Sequence, residues 1–138
     1  MNTTIQSRTG PRRGIESIEL LLGLPVLLLV LAAGFEYGWM LLKTAQLDHA
    51  ARVGARVASL ADADGATVAN RVTDTLVASG IEGATIEVLP GEPGTIPAGS
   101  VVTVRIAVDY ADASLLGLSS FMPLPSSIQG QAAMVREP

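Results

Sequence analysis

Few residues in this chain are of types that do chemistry, and their placement narrows what that chemistry is. Glu19 stands directly before Leu20 at the head of an apolar run, and Glu36 interrupts the same run sixteen uncharged residues later. A carboxylate close to a bilayer core is costly, so an acid there is a functional candidate by default. The competing reading is an acid near enough to water to stay hydrated, favoured at Glu19 by the dipole of a helix start. Glu36 reads as a second membrane-edge acid, within reach of headgroups and Lys43. His49, the single histidine, lies beside Asp48. A Ser-His-Asp mechanism needs a positioned serine nucleophile, and no nucleophile turn is present; His49 therefore reads as a surface side chain. Asp62 and Asp64 before Gly65 resemble the opening of a calcium loop, but the bidentate acid expected further on is missing. They read as a helix-ending turn with solvated carboxylates. With no cysteine, disulfides and thiolate metal sites are excluded. Phosphate-loop, dinucleotide and metal-spaced histidine motifs are absent from the sequence. The expectation is a chain without catalytic, cofactor-binding or metal-ligating residues, and not an enzyme.

The elements that carry these acids are read from charge and hydropathy. Arg8, Arg12 and Arg13 form a positive block before the first acid, while the whole chain of 138 residues carries a formal charge of −4. That balance argues against nucleic acid as a partner. Leu20 to Leu42 span 23 residues interrupted only by Glu36, close to the roughly 20 that a helix needs to cross a bilayer core. Three arginines before the run against Lys43 after it keep the N-terminus cytoplasmic and export the remainder. Tyr37 and Trp39 fall near the outer end, where aromatic rings favour the interface. A removable secretory signal, cut near Ala32-Ala33-Gly34, is the alternative, but apolar character continues beyond that point. Gly23 and Pro25 within the run read either as a harmless kink or as a place to bend during extraction from the membrane.

Past Leu42 the pattern is that of an amphipathic helix, with Leu47, Ala50, Gly54, Val57 and Ala61 on one face and Asp48, Arg52, Arg56 and Ser59 on others. It is expected to end near Ala61–Gly65. A second helix follows with Val68, Val72 and Leu76 at four-residue spacing and Gly80 as its stop. Strands come next. Ile86 and Val88 alternate with Thr85 and Glu87; Val102, Val104, Ile106 and Val108 alternate with Thr103, Arg105, Ala107 and Asp109. Residues 114–127 read as an apolar loop or short helix, and residues 127–137 as a last strand. The fold class is α+β: a long N-terminal helix, a second helix, and a small antiparallel sheet of about three to four strands that a helix must cover.

These residues together resemble the TadE-like family of the tight adherence (Tad, Flp-type) pilus system. Arg12-Arg13-Gly14 is similar to the end of a prepilin leader, with Ile15 as the new N-terminus and Glu19 as the fifth mature residue. "LGLPVLLLV" followed by "FEYG" resembles the family's apolar run. Ala50 to Arg56, "AARVGAR", is similar to its small-residue motif, here Ala51, Arg52, Gly54, Ala55 and Arg56. Met134 to Glu137 is a weaker match. Leu20 departs from the pattern, which often has an aromatic after the glutamate. The resemblance implies residues 1–14 as a basic leader, 15–42 as a transmembrane helix and 43–138 as an exported domain continuing that helix. It implies a minor pilin or pseudopilin in the inner membrane or a surface pilus, cut after Gly14 by a prepilin peptidase. Its partners would be other pilins, the inner-membrane assembly platform and the lipid bilayer, with no cofactor. On this reading Glu19 pairs with the freed α-amine of a neighbouring subunit. The competing readings are an uncleaved, membrane-anchored envelope protein that binds a partner through its exported domain, and an exported hydrolase.

Overall fold

The structure is a computed structural model that describes residues 13–138, with side chains from Ser17 onward. The chain forms two compact units that divide between Gly34 and Phe35. In the first, the described residues are helical, the opening part of helix α1 (Arg13–Ala58), which continues through Pro25. Its side chains from Ile18 to Leu31 are largely exposed, Leu21 at 74%. A helix apolar on all sides is one that belongs in a membrane or a helix bundle, and α1 contains one stretch long and apolar enough to cross a bilayer.

The second unit is built from the rest of α1, helix α2 (Gly65–Ala78), and strands β1 (Thr85–Leu89), β2 (Val101–Asp109) and β3 (Ser127–Val135). A single helical turn, α3 (Tyr110–Ala113), follows β2 directly. The sheet is antiparallel in the order β1-β2-β3, with Ile86 opposite Ile106 and Val104 opposite Ala132. This is the expected α+β architecture with three strands. Period-two alternation buries Val102, Val104, Ile106 and Val108 on one face of β2 and leaves Ile86 and Val88 of β1 half-buried. Those side chains meet Val68, Val72 and Leu76 of α2 and the small-residue face of α1 in one core.

Small residues let the helix approach closely. A Cβ on Gly54 would lie 2.5 Å from Val72 Cγ2 and 3.2 Å from Val104 Cγ1, so α1 touches α2 and β2 at this one position. A Cβ on Gly130 of β3 would run into the α1 backbone at Leu47 and Asp48. The face itself differs from the expected one at its far end. Helix α1 stops at Ala58, and the buried residues are Leu47, Ala50, Ala51, Ala55 and Ala58. Val57 is only half-buried, Ala61 is exposed, and Ser59 is buried rather than solvated. The reason is geometric: at 3.6 residues per turn the stripe falls on Ala58, and the chain then turns, with Ser59 Oγ donating to the Arg56 carbonyl at 2.8 Å.

Both ends of α2 are closed by charge. Asp64 is its N-cap, accepting from the Thr67 N–H at 2.6 Å, and Glu92 accepts from the Gly65 N–H at 2.6 Å. Carboxylates at a helix N-terminus satisfy free N–H groups and complement the dipole. The bond from the Thr67 backbone, chiefly, holds the Asp64 carboxyl below its ordinary pKa. At the other end Lys43 Nζ donates to the Ser79 carbonyl at 2.9 Å and to that of Gly80, whose φ of +63° is the left-handed turn that ends the helix.

Candidate functional site

Glu36 heads the buried stripe of α1. Counting back from Leu47 in steps of four, three and four leads through Lys43 and Met40 to Glu36, so this acid faces the core side of the helix. Its side chain is fully buried, and both oxygens are taken. Tyr110 Oη, also buried, donates to Oε1 at 2.8 Å, and the Leu116 backbone N–H donates to Oε2 at 2.8 Å. The expected partners of Glu36, headgroups and Lys43, are therefore corrected: protein donors satisfy it, and Lys43 binds the end of α2 instead. A buried carboxylate needs such donors, since water is not available to it. The phenol responds in turn. Burial, then the hydrogen bond to Glu36, then the negative charge of Glu36 push the Tyr110 pKa up to about 12.

Two further hydrogen bonds join the same stretches of chain. Trp39 Nε1 donates to the Ala113 carbonyl at 2.8 Å, and Tyr37 Oη donates to the Pro123 carbonyl at 3.2 Å. Lys43 Nζ lies 5.0 Å from the centroid of the Trp39 ring, a cation–π distance. One turn of α1, residues 36–39, thus clamps the segment from Tyr110 to Pro123. The aromatic pair that hydropathy assigns to the membrane interface also does structural work. Tyr110, the Leu116 N–H and the Ala113 carbonyl were not among the sequence-derived candidates. The signal for Glu36 was its place in the helical stripe; for Tyr110 it was the aromatic that follows the strict alternation of β2.

The other candidates lie apart from this clamp. Gly14 and Ile15 fall in the first turn of α1, while Arg8 and Arg12 lie outside the described residues. Glu19 is exposed on the helix. In the small-residue motif Ala51 and Ala55 are fully buried and Gly54 makes the close approach, whereas Arg52 and Arg56 are exposed one turn apart. The motif is therefore a packing face with a basic outer edge. His49 is exposed; Asp48 Oδ1 accepts from the Gln131 N–H at 3.3 Å. Asp62 is exposed and Asp64 caps α2. Arg136, beyond β3, is buried and donates through Nη2 to the Ala61 carbonyl at 2.7 Å. It closes the turn after α1 much as Lys43 closes α2.

No curated protein and no solved structure matches the chain. Residues 14–56, however, match the family model described as TadE-like protein, which agrees with the resemblance read from the sequence and points to a protein associated with the Tad pilus.

Proposed function

We propose that the chain is a minor pilin or pseudopilin of a Tad-type pilus assembly and secretion system: non-enzymatic, anchored by α1 with its N-terminus cytoplasmic, and processed after Gly14 by a prepilin peptidase. The observation that carries this reading is the family match itself, which begins at Gly14 and covers Glu19, the apolar run and the small-residue face. The exposed leucines of the first unit support it, since they offer a surface to lipid and then to other pilin helices. Nine basic against thirteen acidic residues give −4, and loss of Arg8, Arg12 and Arg13 leaves six against thirteen, or −7. Processing thus removes the charge that holds the helix at the cytoplasmic face and creates an α-amine beside Glu19. In a bundle of like helices that amine compensates a carboxylate that is costly alone. The pair fixes register between subunits and adds little stability. Other pilins and the inner-membrane assembly platform are the partners this implies.

Mass spectrometry of the N-terminus, with and without a co-expressed prepilin peptidase, tests the proposal. A peptidase-dependent product beginning at Ile15 is expected. An intact leader in cells that assemble normal pili refutes it and favours an uncleaved, membrane-anchored protein.

A further inference from the structure

From Ala113 to Val135 the chain carries no charged residue. The first part of that stretch, residues 114–124, is a loop with one short helical turn at Leu118–Ser120. It displays Leu115 and Leu116, each about half exposed, and Phe121 at 84% exposure. Exposed apolar side chains grouped on one loop mark a contact surface. The clamp fixes where this surface sits. Its four hydrogen bonds run from residues 110–123 to Glu36, Tyr37 and Trp39, which follow directly on the uncharged run of α1. At 1.5 Å per residue, Trp39 is about 6 Å along the helix axis from Phe35. Where that run ends at the outer face of a bilayer, the loop is held at the same level.

We propose that loop 114–124 is a second membrane contact, with Leu115, Leu116 and Phe121 seated in the outer interfacial layer of the bilayer that α1 crosses. The inference rests on the membrane reading of α1. Three features favour lipid over a protein partner. The loop is tied by the clamp to the turn of α1 that follows the uncharged run. It carries no charge to select a protein surface. And the acid that the loop backbone binds, Glu36, is fully buried and bonded to protein donors, so its carboxylate does not face the apolar layer, while Asp112 is exposed on α3, before the loop. The loop backbone requires water or headgroups, which limits entry to the interface and excludes the hydrocarbon centre.

The chain has no cysteine, so single nitroxide labels report positions cleanly. Full-length protein carrying Leu28→Cys, Glu87→Cys, Leu115→Cys or Phe121→Cys is reconstituted in phosphatidylethanolamine–phosphatidylglycerol vesicles. Collision with oxygen is compared with collision with a water-soluble nickel chelate. The oxygen-to-nickel ratio at 115 and 121 is expected to exceed that at the exposed strand position 87 several-fold. Leu115→Cys retains Phe121, so loss of one anchor does not decide the result. Ratios at 115 and 121 equal to that at 87, with 28 in lipid, overturn the loop contact and leave the membrane helix standing. An aqueous 28 overturns both. Labels at 115 and 121 shielded from both reagents, increasingly so at higher protein-to-lipid ratio, assign the loop to a second copy and overturn the lipid proposal.

Discussion

Tyr110→Phe removes one oxygen from the core and should loosen the clamp around Glu36. The phenol donates at 2.8 Å to a fully buried carboxylate, and a hydrogen bond to a charged group contributes about 1.5–3 kcal/mol. Phenylalanine fills the same space, so the lost bond is the main effect. For a unit of this size, about 4–8 °C of Tm per kcal/mol turns that loss into a fall of roughly 6–24 °C. Glu36→Gln is the milder change. Its amide oxygen still accepts from the Leu116 N–H, and its amide nitrogen can donate to the Tyr110 oxygen, whose proton then turns to the Glu36 carbonyl at 3.4 Å. What disappears is the charge, which about halves such bonds, so about 1 kcal/mol is expected. Trp39 is the sole tryptophan and donates to Ala113 within the clamp, so its fluorescence during unfolding in detergent reports this site directly. The pH dependence follows the same bond. With the folded-state pKa raised from 10 to about 12, the contribution of Tyr110 is complete below pH 10 and disappears as pH rises from 10 to 12. The phenylalanine variant lacks that loss, so the gap between the two proteins narrows across the window. A Tyr110→Phe protein within about 0.5 kcal/mol of wild type, or one with a constant gap from pH 9 to 12, would show that the phenol does not hold Glu36.

Other substitutions test the packing and the assembly reading. Gly54→Ala forces a methyl against Val72 and Val104, and overpacking of this kind costs about 1–3 kcal/mol; denaturant midpoints measure it. Gly130→Ala should cost more, because the obstacle is the α1 backbone, which cannot rotate away as a valine methyl can. Asp64→Ala uncaps α2 and should lower its protection from hydrogen exchange, whereas Asp64→Asn keeps an acceptor and should not. Because the Asp64 pKa is lowered, its contribution is present above the ordinary carboxyl pKa and is lost as pH falls through the folded value. Glu19→Ala should insert into membranes normally yet enter pili poorly; unchanged assembly would remove Glu19 from the pairing role.

Much of this fold could be read from local pattern. The alternation of β2, the four-residue spacing of α2 and the apolar run of α1 each depend on neighbours a few residues away, and each is found where expected. Glu36 was not legible in the same way. Its donors lie 74 and 80 residues further along the chain, and hydropathy sees only an acid at the end of a greasy run. Lys43 was misread for the same reason. Its position put it within reach of Glu36, but its acceptors are carbonyls of a helix end 36 and 37 residues away. The stripe rule would have found both residues had it been continued backward from Leu47 past the presumed membrane boundary.

That boundary explains why two charged residues share the core face of α1. The compact unit begins at Phe35, so Glu36 and Lys43 stand on the part of α1 that packs into a protein core, after a stretch whose side chains are largely exposed. A helix leaving an apolar layer meets a domain whose loops carry unpaired backbone groups, and these need partners that leucine cannot provide. Glu36 accepts from the loop after α3, Trp39 donates to the Ala113 carbonyl at the end of α3, and Lys43 donates to the carbonyls that follow α2. These polar residues cost little in the membrane reading, because each is paired on the domain side. The same pairing ties the segment from Tyr110 to Pro123 to one turn of the helix at four points, two on α3 and two on the loop after it.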